Sequence, residues 1–159
     1  LGMKKAVAFR ARAQVNDYLP LSRRDMTYLD GCARAWDQAF TKSGLTLEDL
    51  DFVETHDCFT IAEMMQYEAM GIAKRGEGAK AALDGVTQKD GKLPVNASGG
   101  LKAKGHPIGA TGVSMHVLTA MQTRGDAEGI QVKGAKLGGI FNMGGAAVAN
   151  YVSILEAVK

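Results

Sequence analysis

Cysteine, histidine and proline are scarce in this chain: two, three and three among 159 residues. The two cysteines, Cys32 and Cys58, form no C-x-x-C pair, and the histidines lack metal-ligand spacing, so no zinc site is expected. Free thiols fit a reducing compartment, and a cytoplasmic location is expected. No run of about 18 apolar residues occurs, so no membrane span is expected. The opening Leu1-Gly2-Met3-Lys4-Lys5 has no signal-peptide apolar region. A start on leucine is what an excised piece of a longer chain would show. Excess charge is also missing: a net +2 is too small to argue for nucleic acid. There is no internal repeat and no low-complexity tract.

Glycine is abundant instead. The 20 glycines cluster at 99–112 and 134–145, which points to tight turns and close backbone approach and not to a linker. Hydrophobic residues at 46% and charged residues at 23% are ordinary for a globular protein. The length fits one domain, 1–159, with one good core.

Periodicity lays out the elements. Ala6–Ala13 is a strand, with Val7 and Phe9 alternating against Arg10 and Arg12. Val15–Arg24 is a loop. A helix runs from about Asp25 to Ser43, with Met26, Leu29, Ala33, Trp36 and Phe40 at helical spacing and Gly44 as its cap. Cys32, within it, reads as a small core residue. Thr46–Leu50 is a capped turn, Asp51–Thr55 a short strand, and about Ile61 to Met70 a second helix. Residues 71–93 read as loop. Leu93–Ala97 is a strand, followed by a Gly-rich turn and a third helix from Ala110 to about Thr123. Lys136–Asn142 and Ala146–Leu155 are two strands without an intervening helix, hence antiparallel. The order is βαβαβαββ: an α/β fold with a five-stranded mixed sheet and helices on both faces.

Two stretches fall at strand-to-helix junctions, where sites gather in open α/β sheets. The first is Gly105-His106-Pro107-Ile108-Gly109-Ala110-Thr111-Gly112. Pro107 suits a first helical turn, since its missing N–H would have no partner there. A neutral imidazole at such a bend can act as a base or as a donor to a carbonyl. The second is His56-Asp57-Cys58-Phe59. A thiol beside an acid and a histidine at a helix entrance is a setting that favours thiolate. The other reading is an inert buried Cys58 with His56 and Asp57 as cap and surface residues. Phe141-Asn142-Met143-Gly144-Gly145-Ala146, taken alone, is a hairpin turn. Lys102 and Lys104 are either solvated loop lysines or neighbours of a phosphorylated ligand. His116 reads as structural or exposed.

The string Gly99-Gly100-Leu101-Lys102-Ala103-Lys104-Gly105-His106-Pro107-Ile108-Gly109-Ala110-Thr111-Gly112 resembles the histidine loop of the thiolase family, enzymes that make or cleave 3-ketoacyl-CoA. His-Asp-Cys-Phe at 56–59, where most thiolases have Asn-Glu-Ala-Phe, resembles the sterol-carrier-protein-type branch, as do Glu77 and Gly78. The resemblance runs from about Ala6 to Val158 and matches only the C-terminal half of a thiolase. The nucleophilic cysteine and most of the CoA-binding loop domain have no counterpart here.

The resemblance implies roles. His106 activates the nucleophilic cysteine and polarises a thioester oxygen. His56 takes the place of an asparagine that holds a water at the first oxyanion hole. Cys58 handles the α-proton, because the glycine loop lacks the acid/base cysteine of typical thiolases. The backbone around Asn142, Gly144 and Gly145 belongs to the second oxyanion hole. Phe59, Gly105 and Pro107 contact substrate. Acyl-CoA and CoA are ligands, with CoA as a substrate and no resident cofactor or metal. Further expected partners are the missing N-terminal half, a second copy in a dimer or tetramer, and a small zinc-binding acyl-CoA protein. The chain alone is expected to be inactive and to self-associate through an uncovered apolar face. Two rivals stand beside this reading. One is a decarboxylating ketoacyl synthase, with His56 and His106 as its histidine pair. The other is a non-catalytic acyl-CoA or lipid-binding subunit.

Overall fold

The computed structural model describes residues 5–158. Expectations that rest on Leu1–Lys4 and Lys159 lie outside the described residues. The elements are β1 (Val7–Asn16), α1 (Asp30–Ser43), β2 (Phe52–Thr55), α2 (Thr60–Met70), α3 (Gly78–Leu83), α4 (Gly100–Lys104), α5 (Thr111–Arg124), β3 (Leu137–Gly144) and β4 (Ala149–Ala157).

The sheet has four strands and not five, in the order β1-β4-β3-β2. β4 pairs antiparallel with β1 and with β3, while β3 and β2 are parallel. The expected strand at Leu93–Ala97 shrinks to a single parallel bridge, Val53 to Val95. Pro94 has no N–H to give a ladder, and Asn96 turns away at φ +53° after one bond to Val53.

α1 covers one face of the sheet and α5 the other. Neighbouring residues of a strand point to opposite faces, so Phe141 joins Trp36 on the α1 side and Ile140 joins Met115 on the α5 side. Cys32, Ala35, Trp36 and Ala39 form the buried stripe of α1, and Cys32 is the core residue expected of it. Gly139 lies so close to Trp36 that a Cβ there would sit 2.7 Å from the indole edge. Gly44 ends the helix at φ +70°, its N–H reaching Phe40 O at 2.9 Å.

A register shift between Phe9 and Ala11 moves β1 from one face to the other. Val7 packs with Met115 and Leu155, whereas Ala11, Ala13 and Val15 join the Trp36 core. Phe9 is left 55% exposed against the His116 ring. Simple alternation misses that switch.

Other boundaries also differ from the sequence reading: β1 runs on to Asn16, into the expected loop, and β4 starts only at Ala149. α1 begins at Asp30 because the Asp25 carboxylate accepts the Thr27 N–H at 2.8 Å and its hydroxyl at 2.6 Å, holding a turn that competes with helix. α3 forms within the expected loop, and α4 forms within the Gly-rich turn. Pro107 lies outside α5: it heads a separate turn closed by Ala110 N–H to Pro107 O, and Gly109 at φ +79° breaks the path to the helix at Thr111.

Candidate active site

The site forms where the carboxyl end of β2 meets the turn leading into α5. β2 is buried along its whole length, so its backbone is a firm base for the His-Asp-Cys-Phe segment it delivers. Gln66 of α2 clamps the strand end, accepting from the Thr55 hydroxyl and donating to His56 O at 2.6 Å. His56 therefore leaves the sheet in a set direction and is 5% exposed.

Its Nδ1 lies 2.6 Å from Asn142 Oδ1 on β3. An amide oxygen only accepts, so Nδ1 carries the proton and donates it. Burial lowers the His56 pKa from its ordinary value of 6.5; the Asn142 bond opposes this, the nearby His106 adds to it, and the Asp57 charge opposes it. The His56 and His106 rings stand edge to face, with centroids 4.7 Å apart. Nδ1 of His106 is 2.7 Å from the Thr111 hydroxyl at the start of α5.

Asp57 faces away from this pair. It is 1% exposed, accepts Leu101 N–H at 2.7 Å and Lys102 N–H at 3.4 Å, and meets the Lys102 ammonium at 3.1 Å. It is the cap of α4. A Cβ on Gly100, which also sits at φ +64°, would lie 2.1 Å from this carboxylate. Glu54, fully buried on β2, accepts the Ser98 hydroxyl at 2.7 Å and lies 3.6 Å from the Lys104 ammonium. Burial raises its pKa above the ordinary carboxylate value, against the Ser98 and Lys104 contacts. Two carboxylates, one on β2 and one just past its end, thus hold the segment that carries His106. Lys102 also bonds Glu63. Lys102 and Lys104, both exposed on α4, are thus each paired with a carboxylate.

Cys58 is half-buried at the entrance to α2, and burial pushes its thiol pKa up, with the Phe59 and Cys58 backbone N–H groups opposing. The thiolate-favouring setting expected from His-Asp-Cys is therefore not what the fold supplies. Near neutral pH the group is a thiol with a proton to give.

A cleft of about 1190 Å³ gathers His56, Cys58, Phe59, His106 and Pro107 with Asn142, Gly144 and Gly145. Apolar side chains such as Met26, Ile61, Met65 and Val113 dominate the rest of its wall. Gly105 does not line it; at φ +88° and ψ 168° it turns the chain from α4 toward His106. The glycine loop ends β3 with Gly145, Ala146 and Ala147 all at positive φ, two of them alanines that cost about 1–2 kcal/mol each in that region. Arg24 holds the turn by donating to Ala146 O at 2.8 Å. His116 is structural, bonded through both ring nitrogens to Gly112 O and the Ser153 hydroxyl. Among the described residues, no group of three His, Cys, Asp or Glu side chains is placed to hold a metal ion, and no helix is long and apolar enough to cross a membrane.

Sequence reasoning missed Glu54, Gln66, Asn96, Ser98 and Thr111. A signal existed for one of them: a glutamate inside the run Phe52-Val53-Glu54-Thr55 is a charge in a strand that must be buried.

Residues 13–157 match the family model described as thiolase C-terminal domain-like. An acetyl-CoA acetyltransferase of Methanothermobacter thermautotrophicus is 45% identical over 140 residues, 87% of this chain and 37% of that protein. Human sterol carrier protein 2 is 41% identical over 145 residues, covering 88% of this chain and 26% of its own. Benzoylsuccinyl-CoA thiolase subunit BbsB of Thauera aromatica is 36% identical over 133 residues, 84% of this chain and 34% of that one. The chain thus spans little more than a third, or less, of these relatives. A solved structure titled Ltp2-ChsH2(DUF35) aldolase superposes with a TM-score of 0.82 at 22% identity, over 95% of this chain and 39% of that one, a likeness of fold. With the family model matched over nearly its whole length, and a histidine-bearing cleft at the end of its parallel strand pair, this chain belongs to the thiolase C-terminal domain-like family.

Proposed function

We propose that this chain is the C-terminal catalytic half of a thiolase that moves acyl groups between acyl-CoA and CoA. The observation that carries the reading is the edge-on His56–His106 pair, 4.7 Å between rings, sharing one largely apolar cleft with the Cys58 thiol. An apolar cleft fits an acyl chain, and its low dielectric strengthens hydrogen bonds to a developing oxyanion.

The nucleophile comes from the remainder of the protein, since Cys32 is fully buried in the core. In cleavage, that cysteine thiol attacks the 3-keto carbonyl carbon and its proton passes to His106. The bond between the α-carbon and the keto carbon then breaks. Its electron pair stays on the α-carbon, which takes the Cys58 proton, and that fragment departs as acetyl-CoA, leaving the shortened acyl group on the cysteine. In the second half, the sulfur of CoA attacks the acyl-enzyme and gives its proton to Cys58. The enzyme sulfur leaves and recovers its proton from His106. His56, tied to Asn142 through Nδ1, has Nε2 for a water at the first oxyanion hole. The backbone from Asn142 to Gly145 serves the second. Phe59 and Pro107 contact the acyl group, and Gly105 serves them by turning the loop. CoA enters as substrate, with no resident cofactor.

The test is thiolysis of acetoacetyl-CoA by the full-length protein, with the 159-residue chain run alongside. Turnover by the first and none by the second is expected. Turnover by the isolated chain would overturn the assignment of the nucleophile to the remainder. The paired histidines also fit a decarboxylating condensing enzyme; a requirement for malonyl-CoA would identify that reaction.

A further inference from the structure

His106 does not stand alone in the cleft. Its Nδ1 lies 2.7 Å from Thr111 Oγ1, and Thr111 is 6% exposed, so little water competes for that hydroxyl. The same hydroxyl points back to Pro107 O, four residues earlier, at 3.4 Å. A hydroxyl has one proton. Given to the Pro107 carbonyl, in the back-bond threonine forms at a helix start, it leaves lone pairs for the imidazole. The imidazole must then donate through Nδ1–H. Its second nitrogen, Nε2, has no protein partner among the described residues and carries the free lone pair.

We propose that Thr111 is the positioning residue that sets the tautomer of His106, presenting Nε2 as the base in the cleft. The inference rests on the thiolase reading for its kinetic consequence, though not for the tautomer itself. The logic is that of a nucleophile–base–orienter set: the orienter touches neither substrate nor nucleophile and acts through the ring it holds. A threonine supplies orientation through a neutral hydroxyl and not through a carboxylate's charge. The hydroxyl also links two segments that must stay in register. It belongs to the first residue of α5, whereas His106 and Pro107 lie on the turn before it. Gly109 at φ +79° lets that turn fold back far enough for the contact.

The experiment uses the full-length protein in three forms: wild type, Thr111→Val and Thr111→Ser. Histidine ring nitrogens are labelled with 15N, and the His106 tautomer is read by NMR alongside kcat and KM for acetoacetyl-CoA thiolysis. In the wild type, the His106 proton is expected on Nδ1. Thr111→Val, nearly the same shape, is expected to mix the tautomers and lower kcat about tenfold, the worth of one neutral hydrogen bond, with KM little changed. Thr111→Ser restores both. A wild-type proton on Nε2 overturns the proposal, and so does a valine variant with unchanged kcat and unchanged ring signals. If the valine variant fails to fold, the wild-type and serine spectra still decide the tautomer. Absence of thiolysis in the wild type counts against the thiolase reading and leaves the NMR result to judge Thr111.

Discussion

Asp57 Oδ1 accepts the backbone N–H of Leu101 at 2.7 Å, joining the end of β2 to the first turn of α4. The acid in His-Asp-Cys-Phe thus braces the histidine loop from below, and the two residues beside it face the cleft. Removing the carboxylate leaves N–H groups unsatisfied in a buried place. Asp57→Ala is expected to cost about 1–3 kcal/mol of stability. Asp57→Asn, which keeps an acceptor, should cost less. Urea denaturation of the variants checks this; equal midpoints for alanine and wild type would remove the bracing role.

In the proposed reaction Cys58 and His106 have separable roles. His106→Ala in the full-length protein should abolish thiolysis. Cys58→Ala should lower kcat by about 10²–10⁴, the range for loss of a positioned acid/base, with thermal stability nearly unchanged. The half-buried setting of Cys58 makes the stability part a fair control. Unchanged rates in either variant would sink the assigned role.

The pH dependence of stability has a predictable sign. Burial lowers the folded His56 pKa below 6.5, so the unfolded chain binds this proton more readily. The His56 contribution is present above about pH 6.5 and is lost as pH falls through its folded pKa. His56→Asn removes that titration. The stability difference between wild type and variant, measured by urea titration at several pH values, should therefore shift against the wild type below pH 6.5. A difference flat from pH 7.5 to 5 would contradict the burial argument. Glu54, whose raised pKa has the opposite sign, is common to both proteins and cancels.

Gly138 tests the packing between the sheet and α5. A Cβ there would lie 2.4 Å from Phe52 Cζ and 2.7 Å from Thr119 Cγ2. Gly138→Ala is expected to cost about 1–3 kcal/mol by overpacking. Phe52→Leu in the same molecule should recover part of that loss. Strict additivity of the two substitutions in thermal unfolding would show that the contact is not the cause.

The cleft wall also bears on the chain in isolation. Ile108 at 104%, Phe59 at 69%, Val113 at 65% and Ile61 at 57% exposure put large apolar side chains in water around one opening. Self-association of the isolated chain is expected, and Val113→Lys should reduce it. Sedimentation velocity at rising concentration checks this; a clean monomer at high concentration would refute it.

Much of the architecture was legible in the chain itself. Cys32 and Trp36 in the core of α1, Gly44 as its cap, the antiparallel β3–β4 pair and both candidate stretches come from local period and turn chemistry, which short segments carry by themselves; Met26, expected on the same stripe, lies before the helix and is 50% exposed. The Asx turn at Asp25, by contrast, hid the true start of α1, because a side chain competed with the helix for its backbone. The fifth strand failed for a related reason. Val95 has the right residue type, but Pro94 and the left-handed Asn96 leave only one bridge.

Sequence alone determined the identity of the candidate reacting groups: His56, Cys58 and His106, and the glycines that let the chain turn beside them. Tertiary structure decided what state those groups are in and who holds them. Only folding sets the Asn142 amide against His56, 86 residues away, or buries Cys58 enough to push its thiol pKa up. It also picks the helix that Asp57 caps, α4, whose Leu101 lies 44 residues further along the chain. Such facts depend on distances and dielectric between segments far apart in the chain, and no local pattern of residues encodes them.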